Sequence, residues 1–210
     1  MPIQNPVFSK KSSVTRGYGL LEKFLSQNRC RIANRLINPE YRSGRILDIG
    51  CGVYPLFLTN TQFAQKYGLD KVADPQRHPQ LAQQGIILTQ FNFEKQVRLP
   101  FQDKFFDVVT MLAVFEHLPP EHLGIPLAEI HRILKTAGVL IMTTPAAWSD
   151  LILSFMAFTR LVSPIEIEEH KKTYYHVEII DFLQKAGFSK EKIKSGYFEI
   201  FLNSWITAKK

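Results

Sequence analysis

Ile46-Leu47-Asp48-Ile49-Gly50-Cys51-Gly52 is a short apolar run that breaks at two glycines. It reads as a buried strand handing over to a helix. Glycines lack a Cβ and tolerate unusual dihedrals, so the backbone there can come close to a ligand. In an open parallel sheet, ligands sit outside the carboxyl ends of the strands, where this turn falls. The pattern points to nucleoside-cofactor binding. The Asp48 carboxylate favours a ligand with ammonium or hydroxyl groups over one with phosphates.

Pro55 narrows the choice. In Gly50-Cys51-Gly52-Val53-Tyr54-Pro55, proline stands where a dinucleotide fingerprint has its third glycine. Proline suits the first turn of a helix, but it does not supply that glycine. This argues against NAD-dependent oxidation. No Gly-Lys-Ser/Thr occurs, so a phosphate-cradling P-loop is excluded.

A chain of 210 residues, 45% of them hydrophobic, can bury one sizeable core, which predicts a single globular domain. No apolar run approaches the ~20 residues of a membrane span. The N-terminus lacks the apolar stretch of a signal peptide, which predicts a cytoplasmic protein. Cys30 and Cys51 make no disulfide framework. Cys51 reads as a packing residue, with a reactive thiol as the minor alternative. The net charge is +7, with an early excess that includes Lys10, Lys11, Arg16, Lys23, Arg29, Arg31, Arg35, Arg42 and Arg45. This favours acidic partners or is simply a solvated basic face. No RNA-binding aromatic signature or zinc knuckle accompanies the charge, which argues against nucleic acid.

Residues 1–16 read as a loose arm, and 17–38 as one or two helices ended by Asn38-Pro39. Strands are predicted at 46–49, 66–70, 86–91, 106–112 and 138–143. Helices are predicted at 55–66, around 80–84, at 125–134 and at 177–185, the last capped by Gly187. The tail, 192–209, reads as two strands joined near Ser195-Gly196 or Asn203-Ser204. The sum is an α/β, Rossmann-like doubly wound sheet, mostly parallel with an antiparallel edge strand. Residues 1–43 form an N-terminal arm with helices, and 44–210 form the domain.

The order of polar residues is informative. In a Rossmann-like unit the acid about 20 residues beyond the glycine turn hydrogen-bonds ribose hydroxyls. Asp70 fits, although alone it would read as a turn-forming aspartate. Asn92 and Phe93 follow the third strand, where an amide or backbone N–H can read an adenine ring nitrogen and an aromatic can cover its face. All come from strand ends and meet on one rim.

These pieces together resemble the class I S-adenosylmethionine-dependent methyltransferases, in particular the "type 11" small-molecule group. The matching stretches are Ile46 to Gly52, Tyr67-Gly68-Leu69-Asp70, and Leu99-Pro100-Phe101 leading into Phe106-Asp107-Val108-Val109. They continue through Phe115-Glu116-His117-Leu118, Glu129-Ile130-His131-Arg132-Ile133-Leu134-Lys135, Gly138 to Pro145, and His170 to Phe188. The resemblance spans about 44–208 and implies seven strands in the order 3-2-1-4-5-7-6 with strand 7 antiparallel. It also implies S-adenosylmethionine as cofactor. Asp48 and the backbone of Ile49, Gly50, Cys51 and Gly52 would hold its methionine part. Asp70 would hold the ribose, Asn92 and Phe93 the adenine, and Ala113 would line the pocket. Two stretches depart from the family's pattern: Val53-Tyr54-Pro55, and Lys135-Thr136-Ala137-Gly138.

Methyl transfer from a sulfonium is a direct displacement, so the protein mainly aligns the partners in a dry pocket. His117 is the candidate general base if the acceptor must lose a proton. The alternative is that Glu116-His117 caps and packs the next helix. His170, Tyr174, Tyr175 and His176 fall where this family often builds a substrate lid (146–176), or else are packing and surface residues. No His or Cys spacing matches a metal site, since Pro119-Pro120 separates His117 from His122. The bulky apolar run 148–165 suits a small, hydrophobic acceptor or a peripheral membrane contact. As a core or dimer-facing helix it would imply neither. The expected activity is methyl transfer to a small acceptor. The alternative is a degenerate S-adenosylmethionine-binding fold that acts through interaction with other macromolecules.

Overall fold

The computed structural model describes residues 22–76, 79–93, 95–149 and 173–210. The strands are β1 (Arg45–Ile49), β2 (Gln65–Asp70), β3 (Ile86–Gln90), β4 (Phe106–Leu112), β5 (Leu134–Pro145), β6 (Ile193–Phe198) and β7 (Asn203–Lys209). They form one sheet in the order β3-β2-β1-β4-β5-β7-β6. β3, β2, β1, β4 and β5 pair in parallel, while β7 runs antiparallel to both β5 and β6. The order reverses between β1 and β4, and in open sheets of this kind ligands bind outside the strand ends at such a reversal.

Helices α1 (Glu22–Leu36), α2 (Leu56–Thr59), α3 (Pro79–Gln83), α4 (Gly124–Ile133) and α5 (His176–Lys185) cover the sheet. Alternation divides the strand side chains between two cores. Leu47, Ile49, Val109, Met111, Leu140 and Met142 pack with α4 and α5. Ile46, Val108, Val139 and Ile141 pack with Cys30, Ala33 and Ile37 from the α1 side. Both faces of β1 and β4 are therefore buried, which is why they read as nearly continuous apolar runs.

Polar contacts pin the amino ends of the central strands. The Asp107 carboxylate accepts from the Arg45 backbone N–H at 2.8 Å and from Lys135 Nζ at 2.8 Å. A Cβ on Gly44 would lie 2.1 Å from Asp107, so that approach needs glycine. Arg132 on α4 is held by Glu129 and Asp103 and donates to the carbonyls of Leu99 and Phe101, which clamps the loop before β4.

Three local expectations give way. The predicted helix 55–66 shrinks to α2, because Asn60 turns the chain by donating to Leu56 O and Thr61 joins a half-buried Asn34–Arg42 network. β5 extends beyond 138–143 in both directions. Its start pairs Leu134 with Phe106 across a register shift, and its end pairs Pro145 with Asn203. The β6–β7 turn adjoins the second expected site, since Asn203 opens β7, and lies away from the first. Gly196 sits inside β6, where a Cβ would meet the Trp205 indole at 2.6 Å. The apolar run 148–165 lies almost wholly outside the described residues. Among the described residues no helix is long and apolar enough to cross a membrane.

Candidate cofactor-binding site

The turn after β1 is stitched to the end of β2. Gly50 N–H donates to Leu69 O at 2.7 Å, and Gly52 N–H donates to Asp70 Oδ2 at 2.9 Å. The other Asp70 oxygen accepts from Val72 N–H at 2.9 Å. Both glycines are left-handed, with φ of +77° at Gly50 and +72° at Gly52. Their surroundings differ. A Cβ on Gly50 would lie 2.2 Å from Val114 Cγ2, whereas a Cβ on Gly52 would meet nothing within 4 Å. Gly50 thus serves the protein's own packing, and Gly52 borders open space. The half-buried Asp70 carboxylate, fixed by two backbone N–H groups, lies beside that opening and keeps lone pairs for further donors.

Asp48 lies beneath the turn, buried, and Thr110 Oγ1 donates to its Oδ1 at 2.6 Å. Burial pushes its carboxyl up to about 7. The Thr110 bond acts the other way, and the negative charge of Asp70 adds to the rise. In the folded chain this group holds its proton at pH values where the unfolded chain has released it. Stability from this source is therefore full below pH 3.8 and falls as pH rises through about 7. The displacement corresponds to at most roughly 4 kcal/mol. Asp48→Asn should leave the melting temperature nearly unchanged at pH 4 and raise it at pH 8. Melts at the two pH values check this, and an equal change at both would contradict it.

Cys51 fills the room left by Gly68, where a Cβ would lie 2.9 Å from the sulfur. Burial raises its thiol well above the ordinary value, and burial likewise pushes Cys30 up to about 12. Both behave as buried packing thiols rather than nucleophiles.

The remaining candidate residues come from the ends of β3 and β4. Asn92 and Phe93 are half-buried, and Phe93 meets Phe91 edge-on at 5.0 Å. The Asn92 backbone N–H donates to Gln96 Oε1 at 3.3 Å, so an exposed, movable side chain engages the donor expected to read a ring nitrogen. Ala113 is left-handed at φ +55°, and its N–H donates to Thr143 O at 2.9 Å. That turn carries Val114 over Gly50. His117 is half-buried in a 3-10 turn, Phe115–His117, at the same rim.

Thr110 as the partner of Asp48 and Val114 as the cover of Gly50 escape a linear reading, because each contact is made across strands. Glu116 was visible only as a helix-capping residue. It is 1% exposed, and neither carboxylate oxygen has a hydrogen-bond partner among the described residues. An unpaired buried carboxylate is costly, and such a cost persists most readily where function needs the group. Glu116→Leu, of similar bulk, should raise the melting temperature by several degrees. A lowered melting temperature would show that Glu116 is a structural residue.

Residues 47–142 match the family model described as a methyltransferase domain. No curated protein matches the chain in sequence. Among solved structures, a SAM-dependent methyltransferase from Archaeoglobus fulgidus is 18% identical with a TM-score of 0.62, covering 90% of this chain and 97% of that one. An S-adenosylmethionine-dependent methyltransferase from Mesorhizobium loti is 16% identical with a TM-score of 0.64, covering 89% and 100%. A Haemonchus contortus phosphoethanolamine N-methyltransferase in complex with S-adenosylhomocysteine is 14% identical with a TM-score of 0.64, covering 88% of this chain and 53% of that one. At these identities the likeness establishes the shared fold.

Proposed function

We propose that this chain, whose fold is that of the class I methyltransferases and whose residues 47–142 match their domain, is an S-adenosylmethionine-dependent enzyme acting on a small acceptor. The observation that carries the reading is the contrast between the two glycines. Gly50 is filled by Val114, while Gly52 faces open space beside a carboxylate fixed at the end of β2. A nucleoside ligand fits that arrangement, because it can meet the turn's backbone and offer ribose hydroxyls to Asp70.

In this reading Asp48 with Ile49, Gly50, Cys51 and Gly52 holds the amino-acid end of S-adenosylmethionine. Asp70 accepts from the ribose, Asn92 and Phe93 hold the adenine once Gln96 moves aside, and Ala113 lines the pocket. When bound, the cofactor supplies an electrophilic methyl group on a good neutral leaving group. The protein positions the acceptor and excludes water. His117 serves as the base for an acceptor that must lose a proton. The apolar character of the sequence 148–165 favours a hydrophobic acceptor.

The test is transfer of a labelled methyl group from S-adenosylmethionine into small molecules of a cell extract. Label in a small molecule, lost in Asp70→Ala, supports the proposal. Binding of the cofactor with no label in any extract component would favour the alternative, a degenerate member of the fold that acts through binding.

A further inference from the structure

The turn between β6 and β7 is built against ordinary backbone preference. Glu199, Ile200 and Phe201 are consecutive left-handed residues, with φ of +52°, +54° and +67°. Such a conformation is unfavourable for any residue with a Cβ and most of all for a β-branched one. The surroundings hold it: Leu202 N–H donates to Glu199 O at 3.1 Å, and Ala146 N–H donates to Leu202 O at 2.9 Å. Strain retained in this way is a pointer to function.

Its effect is to sort the side chains of the turn. Glu199 turns inward, where Asn203 Nδ2 donates to it and Asn28 of α1 lies within hydrogen-bonding reach. Ile200 and Phe201 turn outward and are 88% and 62% exposed. Phe201 meets the exposed Tyr197 ring edge-on at 5.8 Å. Phe24, 53% exposed, lies one helical turn from Asn28 on the same face of α1. The neighbouring charges are basic. Lys23 is exposed on α1, and Arg29 lies close enough to Glu199 for its charge to oppose the rise that burial gives that carboxyl.

We propose that Phe24, Ile200 and Phe201 form a docking surface for an anionic membrane, entering the headgroup–acyl boundary while Lys23 and Arg29 meet the lipid charge. Exposed apolar anchors flanked by cations are the chemistry of interfacial binding, and the chain's net charge of +7 adds attraction at longer range. β7 begins where β5 ends, so the tip flanks the rim that carries the glycine turn. Docking would turn that rim toward the bilayer. Access to a lipid-borne acceptor rests on the proposed activity, but the docking itself does not.

The experiment is flotation of the full chain with vesicles of phosphatidylcholine alone and with added phosphatidylglycerol, at low and high salt. The chain should float with the anionic vesicles, and less so at high salt. The double variant Ile200→Asp with Phe201→Asp should bind at least 10-fold more weakly, and Phe24→Asp, on a separate element, should also weaken binding. Melting temperature and S-adenosylhomocysteine affinity should stay unchanged in both variants. Absence of flotation with either vesicle, or charged variants that float like the parent, would overturn the proposal. A dimer in sedimentation that the same substitutions dissociate would assign the surface to a second copy instead. Failure of cofactor binding with flotation intact would count against the proposed activity alone.

Discussion

Replacing Asp70 with alanine should weaken binding of S-adenosylhomocysteine on the order of 100-fold, while lowering the melting temperature by only a few degrees. The asymmetry follows from where the carboxylate stands. Its two oxygens already accept from Gly52 and Val72 N–H groups, so its loss leaves two rim donors that water can reach. The structural cost is modest because the residue is only half-buried. Binding loses more, since a ligand's hydroxyl groups would forfeit a charged acceptor worth roughly 1.5–3 kcal/mol per bond. The Gly52 backbone would also lose the tether that sets its position. Asp70→Asn keeps one acceptor oxygen and should fall between. Calorimetric titration beside thermal melts separates the effects; a large fall in melting temperature with affinity intact would make Asp70 a structural residue only.

The second large effect separates two glycines that look alike in the sequence. Gly50→Ala combines a left-handed alanine with a Cβ driven into Val114, and should cost roughly 3–5 kcal/mol of stability. Gly52→Ala carries only the conformational cost of about 1–2 kcal/mol, because its Cβ meets no protein atom. That Cβ would enter the space assigned to the ligand, so Gly52→Ala should remain folded and lose binding. Val114→Ala should restore part of the stability lost in Gly50→Ala and do nothing for Gly52→Ala. Melting temperatures of the single and double variants decide it, and equal rescue of both would contradict the assignment.

The sheet was legible because its strands carry their own signal. Phe106–Leu112 was bounded as it stands, and the strand order followed from the resemblance. Where tertiary contacts set the boundaries, the reading slipped. Gly196 looked like a turn residue, but Trp205 packs where its Cβ would be. The real turn, at Glu199, Ile200 and Phe201, has no glycine, asparagine or proline to announce it. β5 outran its expected ends because Phe106 and Asn203 on neighbouring strands extend its pairing.

The glycine turn and Asp70 were likewise legible, since strand–turn–strand spacing encodes them. The buried bond from Thr110 to Asp48, the cover that Val114 lays over Gly50, and a Glu116 carboxylate unpaired among the described residues were not. Each depends on how loops from different strands converge on the rim, and no local spacing records that.

In the proposed function the open side of the glycine turn holds the S-adenosyl cofactor. Calorimetric titration of S-adenosylhomocysteine into the parent chain and into Gly52→Ala tests it most directly. One site per chain in the parent, lost in a variant that still melts cooperatively, is the result expected. No heat and no thermal shift with the folded parent, or equal affinity in both proteins, would contradict it.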